Sequence, residues 1–163
     1  MARNHWGFMG TMRAMLAVLL LLAAAPAIGP SELPERVCKN YEADPRLQRL
    51  LSFFETYECP ARDHAEEFLF AADLHGLDWR LLPSIAFVET GGGKTARGNN
   101  LFGWDSGRSE FPSVPDGIHW VAWRLANSKL YAGKPADAVL RTYNPHPRYA
   151  GLVKLVMKQI AAQ

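Results

Sequence analysis

Apolar residues recur along this chain at three- and four-residue intervals, and Pro or Gly separates one run from the next. Leu47, Leu50, Leu51 and Phe54 follow Asp44-Pro45 and stop before Cys59-Pro60. The spacing predicts a helix capped by Asp with Pro in its first turn. Ala65, Phe68, Leu69 and Ala72 predict a second, opened by Asp63-x-x-Glu66 in a near capping box and closed by Gly76. Asp78 is a cap for a third that runs to Glu89. Pro83 would leave a carbonyl unpaired in a helix beginning at Trp79, so that helix starts nearer Pro83 or kinks there. Ile118, Val121, Ala122 and Leu125 mark a helix that begins at Ser113 to Asp116 and ends at Gly133. A short helix from Pro135 to about Tyr143 leads into the stiff turn Asn144-Pro145-His146-Pro147. Tyr149, Leu152, Val153, Val156 and Ile160 give the last helix its stripe. Residues 91–113 are rich in Gly, Asn and Ser and predict a loop or small β-hairpin, long enough to suspect function. There is no internal repeat and no low-complexity tract. The pattern is that of a small, mainly α domain with one irregular lobe.

The start of the chain is patterned differently. Ala14 to Ala25 is an unbroken apolar run behind Arg3 and Arg13, and Ala25-Pro26-Ala27 fits an A-x-A cleavage site. That is the signature of a secretory signal peptide. The run is too short for the ~20 residues of a bilayer span. The expected organisation is therefore a signal peptide at 1–27, an N-terminal arm at 28–43 and the domain at 44–163. The chain holds 18 Lys and Arg against 16 Asp and Glu, and both basic residues of the leader leave with it. The mature chain is then formally neutral, and nothing in it suggests an electrostatic nucleic-acid binder. Two cysteines, Cys38 and Cys59, allow a single pairing in an exported protein. A bridge tying the arm to the first helix would stabilise by ~3 kcal/mol; the alternative is two free thiols. Two Cys do not make a structural zinc site, and no cofactor or metal is expected.

Glu89 is the residue that packing does not explain. It ends the apolar segment Leu81-Leu82-Pro83-Ser84-Ile85-Ala86-Phe87-Val88 and is followed by Thr90 and three glycines. A carboxylate at a helix C-terminus opposes the macrodipole at a cost of about 0.3–1 kcal/mol. Helical spacing places it on one face with Leu82, Ile85 and Ala86. Burial of that face would desolvate the carboxyl, favour its neutral form and raise its pKa, as general acid catalysis near neutral pH requires. The competing reading is a frayed, solvent-facing side chain. Asn99-Asn100-Leu101-Phe102-Gly103-Trp104 then combines amides and aromatics, groups that bind sugar hydroxyls and cover pyranose faces. Phe102 reads as core and Trp104 as cleft, while Asn99 and Asn100 either bind or form turns.

The run SIAFVETGGGKTARGNNLFGW resembles the catalytic segment of the lysozyme-like superfamily, most closely its bacterial glucosaminidase branch of mannosyl-glycoprotein endo-β-N-acetylglucosaminidase-like domains. Related lytic transglycosylases share a helix-ending Glu followed by a small hydroxyl residue and Gly; Thr90 stands here where Ser is more usual. GLDWRLLPSIA, FPSVPDGIHWVAWRL and RTYNPHPRYAGLVKLVMKQI follow the same family order, so the resemblance spans roughly Leu47 to Ile160. It implies an α+β lysozyme-like fold with a glycan cleft, Glu89 as catalytic acid, and Tyr143 beside it with Asn144 as neighbour. It also implies a substrate-binding loop of Asn99, Asn100, Phe102, Gly103 and Trp104. The expected function is an exported glycoside hydrolase cleaving β-1,4 bonds between amino sugars of peptidoglycan or a related glycan. A lytic transglycosylase and a non-catalytic envelope module are the alternatives.

Glycoside hydrolysis commonly uses two carboxylates. Asp105 adjoins the aromatic loop and is the first candidate for the second; Glu110 could face water and Asp116 belongs to helix-start chemistry. A 2-acetamido group on the substrate can replace the second acid. His64, His75, His119 and His146 lack metal-ligand spacing. Trp79, Trp120 and Trp123 read as packing, and Lys94, Arg97 and Arg108 as surface charge.

Overall fold

The computed structural model describes residues 41–163; the expected signal peptide, Cys38 and most of the expected arm lie outside them. Six α-helices and two short 3-10 turns make up the domain: α1 Pro45–Thr56, a 3-10 turn Pro60–His64, α2 Ala65–His75, α3 Leu81–Thr90, a second 3-10 turn Trp104–Gly107, α4 Val114–Asn127, α5 Ala136–Tyr143 and α6 Tyr149–Ala161. The mainly α class follows directly. Among the described residues there is no strand, only a single bridge between Arg97 and Asn100.

Local chemistry sets the boundaries. The Asp44 carboxylate accepts from the Arg46 N–H at 2.9 Å and caps α1. The Ser113 hydroxyl accepts from the Asp116 N–H at 3.2 Å and donates to the Asp116 carboxylate at 2.6 Å, so α4 opens with a reciprocal cap. Pro83 causes no conflict, because α3 begins at Leu81 and its third residue has no intrahelical acceptor to lose. Gly76 and Gly91 end α2 and α3 in the left-handed conformation. Four expectations change. Asp78 does not cap α3: its carboxylate accepts from the Arg80 N–H, and Arg80 stands at the N-cap with no side-chain cap bond. The Asp63-x-x-Glu66 capping box does not form, since the 3-10 turn from Pro60 runs straight into α2 and no side chain caps it. Helix α4 ends at Asn127 because Ser128 turns to extended backbone; Gly133 belongs to the following turn. Leu152 is 49% exposed, just off the arc formed by Tyr149, Ala150, Val153, Val156, Met157 and Ile160.

The core joins α1 to α2, α2 to α4, and α6 to α1, α3 and α5. Leu50, Phe53, Phe54, Phe68, Leu69, Leu82, Ile85, Phe102, Ile118, Leu140 and Ile160 are fully buried in it. Helix α3 is the central element: Leu81 to Ala86 are buried without interruption, on all sides of the helix. A helix packed all round leaves only its ends free, and its C-terminal end carries Glu89. Cys59 is buried with its sulfur against Gly92, whose hypothetical Cβ would sit 2.7 Å from it, and it has no bridging partner among the described residues. No helix among the described residues is long and apolar enough to cross a membrane.

Candidate functional site

Glu89 projects from the last turn of α3 into a cleft of about 370 Å³ lined by Gly103, Trp104, Asp105, Ser106, Tyr131, Tyr143 and Asn144. Its position follows from the packing of α3, because Leu82, Ile85 and Ala86 on its own face are fully buried while Glu89 itself is half-buried. Burial pushes its pKa above the ordinary carboxyl value, and the nearby Tyr149 hydroxyl offsets only part of that rise. Among the described residues no cation pairs with it. The frayed, solvent-facing alternative is therefore not what the fold adopts.

The loop beyond α3 is folded by its own side chains. The Thr90 hydroxyl donates to the Leu101 carbonyl at 2.7 Å and accepts from the Gly93 N–H at 3.1 Å. The Tyr143 hydroxyl donates to the next carbonyl, that of Phe102, at 2.7 Å. These two bonds hold the loop against α3 and α5 and set Gly103 beside the acid. Gly103 has φ +57°, and a Cβ there would stand 3.0 Å from Glu89 Oε2. Only glycine lets the backbone come this close in this conformation.

Asn100 completes the loop as a substitute for a strand partner. Its amide group donates to the carbonyls of Trp104 and Ser109 at 3.0 and 2.9 Å, and its oxygen accepts from the Trp104 N–H at 3.0 Å. Asn99, at φ +58°, donates to the Phe111 carbonyl at 2.8 Å. With Asn100 buried at 2% and both amides committed to backbone, the two asparagines shape the lobe and do not line the cleft. They also explain why the hairpin does not form: side-chain bonds take the place of a ladder. Phe102 is core, 1% exposed, and lies outside the cleft as well.

Trp104 forms one wall. Its ring meets Trp120 edge-on at 4.9 Å and Tyr143 at 5.5 Å, and tilts toward Tyr131 at 6.4 Å. Asp105 stands on the rim, exposed and bonded to Arg108 at 2.6 Å, which holds its carboxyl below the usual range. It is an ionised group in water, unlike Glu89. Burial raises the pKa of Tyr131, Tyr143 and Tyr149; Tyr143 and Tyr149 stand near the acid as neutral hydroxyls, and Tyr131 lines the same cleft. The cleft thus brings together Glu89, Gly103, Trp104, Asp105, Tyr143 and Asn144 from the sequence-derived set, and leaves out Asn99, Asn100 and Phe102.

Two tyrosines were not anticipated. Tyr131 stands in the turn after α4, where no periodicity singled it out. Tyr149 counts correctly as core, yet its hydroxyl reaches Glu89. The available signal was the residue type: a buried Tyr carries a hydroxyl that needs a partner beyond the apolar packing. A second depression of about 320 Å³ is lined by Leu47, Leu51 and residues 62–67, without an aromatic wall. Its most buried acid, Glu67, is bonded to His119, whereas Glu89 opens onto its cleft with no ion-pair partner among the described residues. The chain matches none of the protein-family models it was scanned against, and no curated protein is similar to it at a significant level.

Proposed function

We propose that this protein is an exported glycoside-cleaving enzyme acting on β-1,4 bonds between amino sugars of peptidoglycan, with Glu89 as general acid. The observation that carries the reading is a half-buried carboxyl with a raised pKa and no paired cation, held in a cleft walled by Trp104, Tyr131 and Tyr143. The ordered resemblance of four segments to the glucosaminidase branch supports the same reaction. An aromatic wall covers the apolar face of a pyranose ring, and Asn144 at the cleft edge offers an amide to a hydroxyl or acetamido group.

Glu89 donates its proton to the glycosidic oxygen as the C1–O bond breaks, and the bonding pair stays with that oxygen. The developing positive charge on the sugar faces neutral tyrosine hydroxyls and the new carboxylate. Asp105 is exposed and ion-paired, a poor position from which to attack the sugar. That favours capture by the substrate's own 2-acetamido oxygen, followed by water, which returns a proton to Glu89. A single buried acid also suits a second reading, a lytic transglycosylase, in which the sugar's own C6 hydroxyl replaces water and leaves an anhydro product.

Export belongs to the proposal, and so does the Cys38–Cys59 bridge; N-terminal sequencing and a thiol count on the secreted protein test them. The central experiment compares glycan release from peptidoglycan by the wild type and Glu89→Gln. Equal release removes the enzyme reading, and peptidoglycan binding without release by either protein turns it into that of a glycan-binding module. Mass spectrometry of released fragments separates a reducing end from an anhydro end.

A further inference from the structure

Tyr143 and Tyr149 stack with ring centroids 6.0 Å apart and planes 8° from parallel, but they use their hydroxyls differently. That of Tyr143 is committed to the Phe102 carbonyl at 2.7 Å. That of Tyr149 is buried in the first turn of α6, makes no hydrogen bond of ordinary length, and lies against the Glu89 carboxyl. A buried hydroxyl without a partner costs stability. It is the kind of cost retained where the group is needed in a second state of the molecule.

We propose that Tyr149 is a positioning residue for Glu89, donating its hydroxyl hydrogen to the carboxylate left behind once the acid has transferred its proton. This rests on the reading of Glu89 as general acid. While Glu89 still carries its proton it needs no strong donor, and the Tyr149 hydroxyl lies beside it without a hydrogen bond of ordinary length. When the proton passes to the glycosidic oxygen, a carboxylate remains half-buried with no cation against it. The groups nearest it are Tyr149 from α6, Tyr143 from α5 and the Gly103 backbone, with Tyr131 from the turn after α4 on the cleft wall; Asp105 and Arg108 pair with each other at the rim. Tyr143 has already spent its hydrogen on the loop. The Tyr149 hydroxyl turns through a small angle to donate, keeping its own proton, because burial makes the phenolate inaccessible near neutral pH. A hydrogen bond to the charged form stabilises it and strengthens the acid.

Tyr149→Phe removes the oxygen and keeps the ring stack. Its Glu89 carboxyl, followed by ¹³C NMR in glutamate-labelled protein and assigned by its absence in Glu89→Gln, is expected to titrate about one pH unit higher than in the wild type. The same variant is expected to lose about tenfold in kcat with KM unchanged. Activity requires protonated Glu89, so the basic limb of its pH profile moves upward. Its melting temperature equals or exceeds that of the wild type, since only an unpaired oxygen is lost; a purely structural Tyr149 would lower it and leave the titration in place. Replacement of Tyr149 by 3-fluorotyrosine, a stronger donor of nearly the same shape, moves the Glu89 titration downward. A Glu89 titration unmoved by either change overturns the proposal. The titration needs no substrate, so the two ideas fail separately: an active wild type with an unmoved titration defeats the role of Tyr149 alone. A wild type that cleaves no glycan defeats the enzyme reading, whatever the titration shows.

Discussion

Glu67 and Glu89 both project from helices into surroundings that have lost most of their water, but they meet different neighbours. Glu67 on α2 lies 2.5 Å from His119 Nε2 on α4, inside the interface between the two helices, with side-chain exposures of 11% and 6%. The imidazole is held edge-on by Phe70 at 5.3 Å. Glu89 has tyrosine hydroxyls and a glycine backbone around it, and it opens onto a cleft. Burial is common to both. What separates an acid that holds helices together from one that can give up a proton is its partner and its access to substrate. Burial disfavours the charged form of Glu89 because no cation among the described residues lies against it.

The largest expected effect breaks the comparison on the catalytic side. Glu89→Gln is expected to lower turnover by about 10²–10⁴-fold, the range of a lost general acid, whereas Glu67→Gln leaves kcat per folded molecule unchanged. Stability should run the other way. The pKa of Glu89 is raised in the folded protein, so folding favours its protonated form. The stability this contributes is complete below the carboxyl's unfolded value and is lost as pH rises through the folded value. Glu89→Gln should therefore melt above the wild type near neutral pH and level with it in acid. Paired thermal melts at the two pH values check the sign. A variant that melts lower at neutral pH would mean that the carboxylate is stabilised by something other than the cleft hydroxyls.

The structural side of the comparison breaks next. His119→Ala leaves the Glu67 carboxylate buried without its imidazole and is expected to cost about 3 kcal/mol, the scale of one partner removed from a buried pair. Urea denaturation measures it, and the activity of the remaining folded fraction should be untouched. His119→Gln, which can still donate to Glu67, should recover part of the loss. A catalytic defect in folded His119→Ala would show that the interface between α2 and α4 communicates with the cleft.

Helices were legible because burial enforces their period: Leu50, Phe54, Phe68, Ile118 and Ile160 lie in the core, as their spacing demanded. Glu89 was legible because it broke a rule that its neighbours obeyed. The lobe between Gly91 and Ser113 was not, because long-range side-chain bonds fold it. No periodicity announces that the Asn100 amide will bridge Trp104 to Ser109, or that Tyr143 will reach back to the Phe102 carbonyl. The same amides that suggested sugar recognition are consumed by the loop. Tyr149 is hidden for the opposite reason: its ring satisfies the core pattern of α6, and nothing in that pattern marks its hydroxyl. Sequence spacing reports which face of a helix is buried, and says little of what the far end of a long side chain touches.

Gly103 sharpens the comparison at smaller magnitude, since among the described residues no glycine is packed against Glu67 in this way. Gly103→Ala adds a Cβ 3.0 Å from Glu89 Oε2 and forces a non-glycine residue into φ +57°. The backbone term alone is about 1–2 kcal/mol. The carboxyl must also shift by a few tenths of an ångström, and turnover is expected to fall about tenfold, in keeping with the sensitivity of catalysis to small misplacements. Loss of stability without loss of kcat would mean that Glu89 relaxes away from the loop without leaving its working position.

Asp105 carries the smallest expected effect and tests the comparison most directly, because it is the other acid in the same cleft. It is exposed, its pKa is depressed by Arg108, and its backbone stands at φ +52°. Asn tolerates that backbone well, so Asp105→Asn removes the charge while leaving the rim in place. If Glu89 works as the one buried acid and the substrate supplies its own nucleophile, the variant should retain turnover within about threefold. A loss of a hundredfold or more would make Asp105 the second carboxylate despite its exposure. Substrate binding would then have to pull it from Arg108, and an Arg108→Ala variant, with Asp105 already released, would cleave faster than the wild type.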